Sequence, residues 1–124
     1  MTELRRRIQD IIENEPVALF MKGNPGFVMC GNSQRALQAL REAQAPLTAV
    51  DILPDPRIRQ ELSELSGWPT IPQVFIGGEL VGGADIVQEL AETGELERKL
   101  EQALGVSYRE ESAERVVDLV GAAS

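Results

Sequence analysis

The chain has 124 residues, 43% of them hydrophobic, with a formal charge of −8, one cysteine and no histidine. This length fits one domain around a single core, and the composition excludes a disordered chain. The acidic balance argues against a nucleic-acid partner, the lone thiol excludes a disulfide framework, and the missing histidines exclude imidazole ligation and histidine acid–base catalysis.

Residues 2–14 place Leu4, Ile8, Ile11 and Ile12 at helical spacing and read as an amphipathic helix. Its Arg5-Arg6-Arg7 run is expected to be a solvated face. No apolar core of about 7–15 residues follows, so the run is not the head of a signal peptide. No stretch reaches the roughly 18 apolar residues that a membrane span needs. A single thiol suits a reducing compartment, and a cytoplasmic location is expected.

Val17 to Met21, after Pro16, is a short apolar run that suits a buried strand. Gly23 to Met29 holds two glycines and a proline and reads as a loop. From Gly31 to about Ala43 a second helix carries Ala36, Leu37 and Leu40 on one face, until Pro46 breaks it. Leu47 to Ile52 reads as a second strand. Asp55-Pro56 pairs a capping aspartate with proline at the first helical position. The helix that follows buries Ile58, Leu62 and Leu65 and stops at Gly67. Gln73 to Ile76 and Glu79 to Gly82 flank Gly77-Gly78, the clearest hairpin signal in the chain. Asp85 to Ala91 is a further helix, Thr93-Gly94 interrupts it, and Leu96, Leu100 and Leu104 mark another. In the tail, Ala113, Val116, Val117 and Val120 share a helical face that is expected to pack on the domain.

This order predicts an α/β fold. The first two strands are joined by a helical crossover and are expected to be parallel, and the hairpin adds antiparallel strands. The result is a four-stranded mixed sheet with helices on both faces. The surplus acid lies late: from Asp85 onward ten acidic and four basic residues give −6, whereas the first 84 residues carry −2. Such a surface serves solubility or docking to a basic protein face.

Cys30 stands at the head of the second helix, where aligned dipoles and free amide donors stabilise a thiolate. Lys22 is close enough in sequence to favour it further. A loop precedes Cys30 and Gly31 follows, a position that suits a reactive or metal-ligating thiol better than a buried apolar one. Gly82-Gly83 permits close backbone approach before a helix start that favours a carboxylate. Asp85 either accepts from a ligand ammonium or caps its own helix with Gln88 as partner. Trp68 is read as packing.

Met21-Lys22-Gly23, Cys30-Gly31-x-Ser33, Arg59, Trp68-Pro69-Thr70-Ile71-Pro72-Gln73 and Gly78-Glu79-Leu80-Val81-Gly82-Gly83-x-Asp85-Ile86 together resemble the monothiol glutaredoxins of the thioredoxin-like fold. The resemblance covers about residues 2–104. It divides the chain into a glutaredoxin domain over 1–105 and a C-terminal helical tail over 106–124. Two positions depart from the family: Asn32 stands where Cys-Gly-Phe-Ser has phenylalanine, and Ala84 where a cysteine is frequent.

The resemblance implies glutathione as ligand, a cis bond before Pro72, and a [2Fe–2S] cluster held between two subunits. Lys22 and Arg59 would hold one carboxylate of glutathione. Thr70, Ile71 and Pro72 would pair with its peptide backbone, and Gly83, Ala84 and Asp85 would take its other end. Cys30 would be both catalytic thiol and metal ligand. A [2Fe–2S] cluster takes four thiolates. One chain supplies one, so two chains and two glutathiones are needed, in a homodimer or in a mixed dimer with another cluster protein. The leading expectation is a carrier that passes clusters to client iron–sulfur proteins and serves redox homeostasis. The alternative is a weak glutathione-dependent thiol–disulfide oxidoreductase acting through Cys30, with Ser33 unable to resolve a mixed disulfide. The third is a non-redox interaction domain that keeps the fold.

Overall fold

The computed structural model describes residues 2–119. Thr2 caps α1 (Glu3–Asn14), its hydroxyl accepting from the Arg5 N–H. Strand β1 (Val17–Met21) leads into a two-stranded ribbon, β2 (Gly23–Asn24) and β3 (Phe27–Val28), where the sequence suggests only a loop. Helix α2 (Gly31–Glu42), β4 (Leu47–Asp51) and α3 (Pro56–Ser66) follow. Asp55 caps α3 by accepting from the Arg57 N–H. Strands β5 (Gln73–Ile76) and β6 (Glu79–Gly82) form the expected hairpin. Gly77 and Gly78 sit at φ 59° and 86°, left-handed values that a two-residue turn requires and glycine adopts without steric cost. Helices α4 (Ala84–Thr93) and α5 (Glu95–Leu104) come next, then a 3-10 turn (Tyr108–Glu111) and β7 (Glu114–Val117).

The sheet order is β6-β5-β1-β4-β7. Strand β1 is parallel to β4 and antiparallel to β5, as the helical crossover and the hairpin require. Alternate residues of β1 point to opposite faces. Val17, Leu19 and Met21 meet Leu37 and Leu40 of α2, Val87 of α4 and Leu96 and Leu100 of α5. Ala18 and Phe20 meet Ile8 and Ile11 of α1 and Ile58 and Leu62 of α3. The Phe20 and Phe75 rings pack edge to face at 5.7 Å. All five residues of β1 are buried, because a central strand with helices on both faces has no solvent side.

The expected four-stranded sheet therefore has a fifth strand, and the expected helical face at Ala113, Val116 and Val117 is not helical. Val120 lies outside the described residues. Strand β7 runs parallel to β4, with Leu47 opposite Glu114 and Val50 opposite Val117. It supplies backbone partners to an edge that would otherwise be open. Arg41 of α2 grips Glu114 with two hydrogen bonds of 2.6 and 2.8 Å, and Arg115 pairs with Glu15. Val117 packs on the core, whereas Val116 is 58% exposed.

The arginine run is a second correction. Arg5 bridges Glu61 and Glu64 of α3, and Arg7 donates to the carbonyls of Asp118 and Leu119. Only Arg6 of the three is exposed. Among the described residues no helix is long and apolar enough to cross a membrane.

Candidate functional site

The site lies where β1, the β2–β3 ribbon, α2, the loop before β5 and the start of α4 converge. Gly23 turns the chain out of β1 at φ 90°. A Cβ there would stand 2.3 Å from the Phe27 carbonyl oxygen, so the ribbon closes this tightly only around glycine. The Gly23 N–H donates to Asp51 Oδ1 at 2.9 Å, and the Met29 N–H returns to the Lys22 carbonyl at 2.9 Å. The ribbon thus delivers Cys30 to the N-cap of α2 in an extended conformation, φ −154° and ψ 134°.

Cys30 is half-buried, and its thiol is held below the ordinary value. The largest cause is a hydrogen bond from the Ser33 backbone N–H. Burial opposes the shift. The Asn32 N–H and the Ser33 hydroxyl add to it, and the charge of Lys22 contributes least. Ser33 is completely buried, and its Oγ accepts from the Lys22 N–H at 3.1 Å. A relay therefore runs from a backbone amide through this hydroxyl to the sulfur. Stability linked to the thiolate is fully present above the ordinary thiol value of about 8.5 and is lost as pH falls through the lowered folded value. Alkylation rate against pH is expected to give a midpoint below that of an ordinary thiol. Ser33→Ala, which removes the hydroxyl and keeps the amide, is expected to raise the midpoint part of the way. An identical midpoint in both proteins would remove the hydroxyl from the account.

Beside Cys30 opens a cleft of about 280 Å³, lined by Asn32, Trp68, Thr70, Ile71, Pro72 and the segment from Gly83 to Ile86. It is close to the small end of the range for small-molecule sites, roughly 300–1,000 Å³. The Ile71–Pro72 bond is cis. Gln73 holds this loop from below. It is completely buried, and its Nε2 donates to the carbonyls of Trp68 at 2.9 Å and Thr70 at 3.2 Å. The two cleft walls approach closely at Gly83, where a Cβ would stand 3.3 Å from the Pro72 oxygen and 3.4 Å from Trp68 Nε1.

Of the residues singled out in the sequence, Thr70, Ile71, Pro72, Gly83, Ala84 and Asp85 line this one cleft. Lys22 lies on the sulfur side. Arg59 is exposed on α3 and reaches the Pro69 carbonyl at 3.4 Å. The N-cap of α4 is Gly83 rather than Asp85. Asp85 stands in the first turn, its side chain 91% exposed, and pairs with Arg35 of α2 at 2.6 Å. Gln88 also accepts from Arg35 rather than completing a capping box. Trp68 is a cleft wall, and its Nε1 has no hydrogen-bond partner among the described residues.

Arg35 escaped the sequence reading, and Gln73 entered it only as the end of the motif leading into β5, without a role. Gln73 carries a usable signal, a polar residue opening an otherwise apolar strand. Arg35 has only its place three residues after Asn32, on the same helix face.

A glutaredoxin family model matches residues 17–81. The monothiol glutaredoxin-5, mitochondrial, of Saccharomyces cerevisiae is 42% identical over 113 residues, covering 89% of this chain and 75% of that protein. Glutaredoxin 3 of Danio rerio is 42% identical over 107 residues, covering 86% of this chain, which spans only 33% of that longer protein. The solution structure of reduced poplar apo GrxS14 superposes with a TM-score of 0.73 at 42% identity, over 82% of this chain and 93% of that one. A thioredoxin-like fold with one thiol at the head of α2, matched along most of its length by proteins that bear the name, makes this chain a member of the monothiol glutaredoxin family.

Proposed function

We propose that this glutaredoxin binds glutathione in the cleft beside Cys30 and carries a [2Fe–2S] cluster to client iron–sulfur proteins. The observation that carries the reading is the single thiol, with its pKa lowered, at the head of α2 next to a cleft walled by the cis-proline loop and the start of α4, while Lys22 and Arg59 stand outside the cleft lining. Glutathione presents two carboxylates, one ammonium, a peptide backbone and a thiol. Lys22 and Arg59 supply cations for one carboxylate. The backbone of Thr70, Ile71 and Pro72 is the peptide-like edge. The amides of Gly83 and Ala84 at the start of α4 favour the second carboxylate, and Asp85 accepts from the ammonium.

The cluster is cargo rather than a resident group. Among the described residues no three His, Cys, Asp or Glu side chains are grouped to hold a metal. A four-thiolate cluster is therefore shared between Cys30, a second Cys30 or another cluster protein's thiol, and two glutathiones. The lone thiol and the acidic surface support a reducing, cytoplasmic setting without nucleic acid.

Anaerobic reconstitution with iron, sulfide and glutathione tests this. A coloured dimer is expected only when glutathione is present. A colourless monomer under those conditions would overturn the cluster reading.

The half-buried, activated sulfur also supports a weak deglutathionylase activity. The Cys30 thiolate would attack the glutathione sulfur of a protein mixed disulfide and release the protein thiolate. A second glutathione thiolate would then attack the Cys30 adduct, leaving glutathione disulfide and the free Cys30 thiolate.

A further inference from the structure

We propose that Arg35 is a specificity-determining residue that sets the charge pattern accepted at the amino end of the thiol ligand, an inference that rests on the glutathione reading above. Asp85 is the only charged side chain lining the cleft. Alone, it would make this end of the cleft a simple cation site in a protein of charge −8. It is not alone. Arg35 Nη2 donates to Asp85 Oδ1 at 2.6 Å, Nη1 donates to Asn32 Oδ1 at 3.0 Å, and Nε donates to Gln88 Oε1 at 2.9 Å.

Three acceptors on two helices hold the planar guanidinium in one place, with 39% of the side chain still open to solvent. Five N–H groups are available to a guanidinium, and these contacts leave room for a further acceptor. The pair therefore offers a carboxylate and a guanidinium side by side. That arrangement suits a zwitterionic α-amino acid end. It also removes the repulsion that Asp85 by itself would exert on a ligand carrying a carboxylate without an ammonium. Arg35 lowers the site's preference for a free ammonium.

Competition for Cys30 between glutathione and N-acetylglutathione tests this, because the acetyl group deletes the ammonium charge and keeps both carboxylates. The full chain is equilibrated in a redox buffer holding both thiols and their disulfides in equal amounts, so that the Cys30 thiolate attacks either disulfide and releases one thiolate, and the two Cys30 mixed disulfides are counted by intact mass. Arg35→Gln is expected to shift the adduct ratio toward glutathione by about three- to five-fold, the size of an exposed charge pair. Arg35→Lys, which keeps the charge, is expected to stay near the wild-type ratio, and Asp85→Asn is expected to move the ratio the other way. A merely structural Arg35 would alter both adducts together and leave the ratio in place. An unchanged ratio in Arg35→Gln with a moving Asp85→Asn overturns this inference alone. Ratios unmoved by either substitution overturn the glutathione subsite itself. Lysine behaving like glutamine shows that charge is not the cause and overturns the inference too.

Discussion

Cys30→Ala is expected to keep the fold and abolish the chemistry. Cys30 is the N-cap of α2 and only half-buried, and its sulfur accepts from the Ser33 and Asn32 N–H groups at the first turn. Losing this cap is expected to cost about 1 kcal/mol, too little to unfold a domain. The nucleophile disappears completely, and no second cysteine exists to replace it. Release of glutathione from a glutathionylated test protein is expected to fall to the buffer rate. Visible absorption after reconstitution is expected to vanish with it. Urea denaturation of the same variant separates the two effects. Retained cluster absorption would assign the ligand role to another group, and retained turnover would show that Cys30 is not the nucleophile.

Tyr108→Ala is expected to have the largest effect on stability. Tyr108 is buried after α5, its hydroxyl donates to the Ala43 carbonyl at 2.9 Å, and burial pushes its phenol above the ordinary value. The Arg109 guanidinium lies 4.6 Å from the ring centroid. Truncating a buried aromatic costs about 3–5 kcal/mol, and here it also leaves the Ala43 carbonyl unpaired. That is a large share of the roughly 5–15 kcal/mol that holds a domain together. Tyr108→Phe removes only the hydroxyl and is expected to cost about 1 kcal/mol. Denaturant midpoints of the two variants check the difference. A wild-type midpoint in Tyr108→Ala would mean that residues after α5 do not contribute to the core.

The elements that the sequence revealed are those set by near neighbours. The five apolar residues from Val17 to Met21 are a buried strand because nothing in the run can face water. Asp55 and Gly67 bound α3 by a side-chain cap and a left-handed residue, both local to the chain. Gly77-Gly78 turns the hairpin because both residues need positive φ. Cys30 was recognisable for the same reason, since a loop before it and a helix after it already define a thiol among free amides. The cleft residues from Thr70 to Pro72 and from Gly83 to Asp85 were recognised through their resemblance to a family, and the fold places both segments on one cleft.

The tail shows where local reading stops. Ala113, Val116, Val117 and Val120 have helical spacing, yet paired valines suit a strand equally well. The free edge of β4 decides the matter, by offering backbone donors and acceptors to residues more than sixty positions away in sequence. The arginines follow the same logic. Arg5 finds Glu61 and Glu64, Arg7 finds the carbonyls after β7, and Arg35 finds Asp85, each across fifty or more residues. A charged side chain carries no periodic signal of its partner, because its pairing is chosen by which helices pack together. The sequence by itself determined the helices, the central strands and the reactive thiol, all consequences of local backbone chemistry and burial. Only the tertiary structure decided the fifth strand, the Gln73 support under the cleft and the Arg35 charge beside Asp85, because each depends on groups that meet only after the sheet has formed.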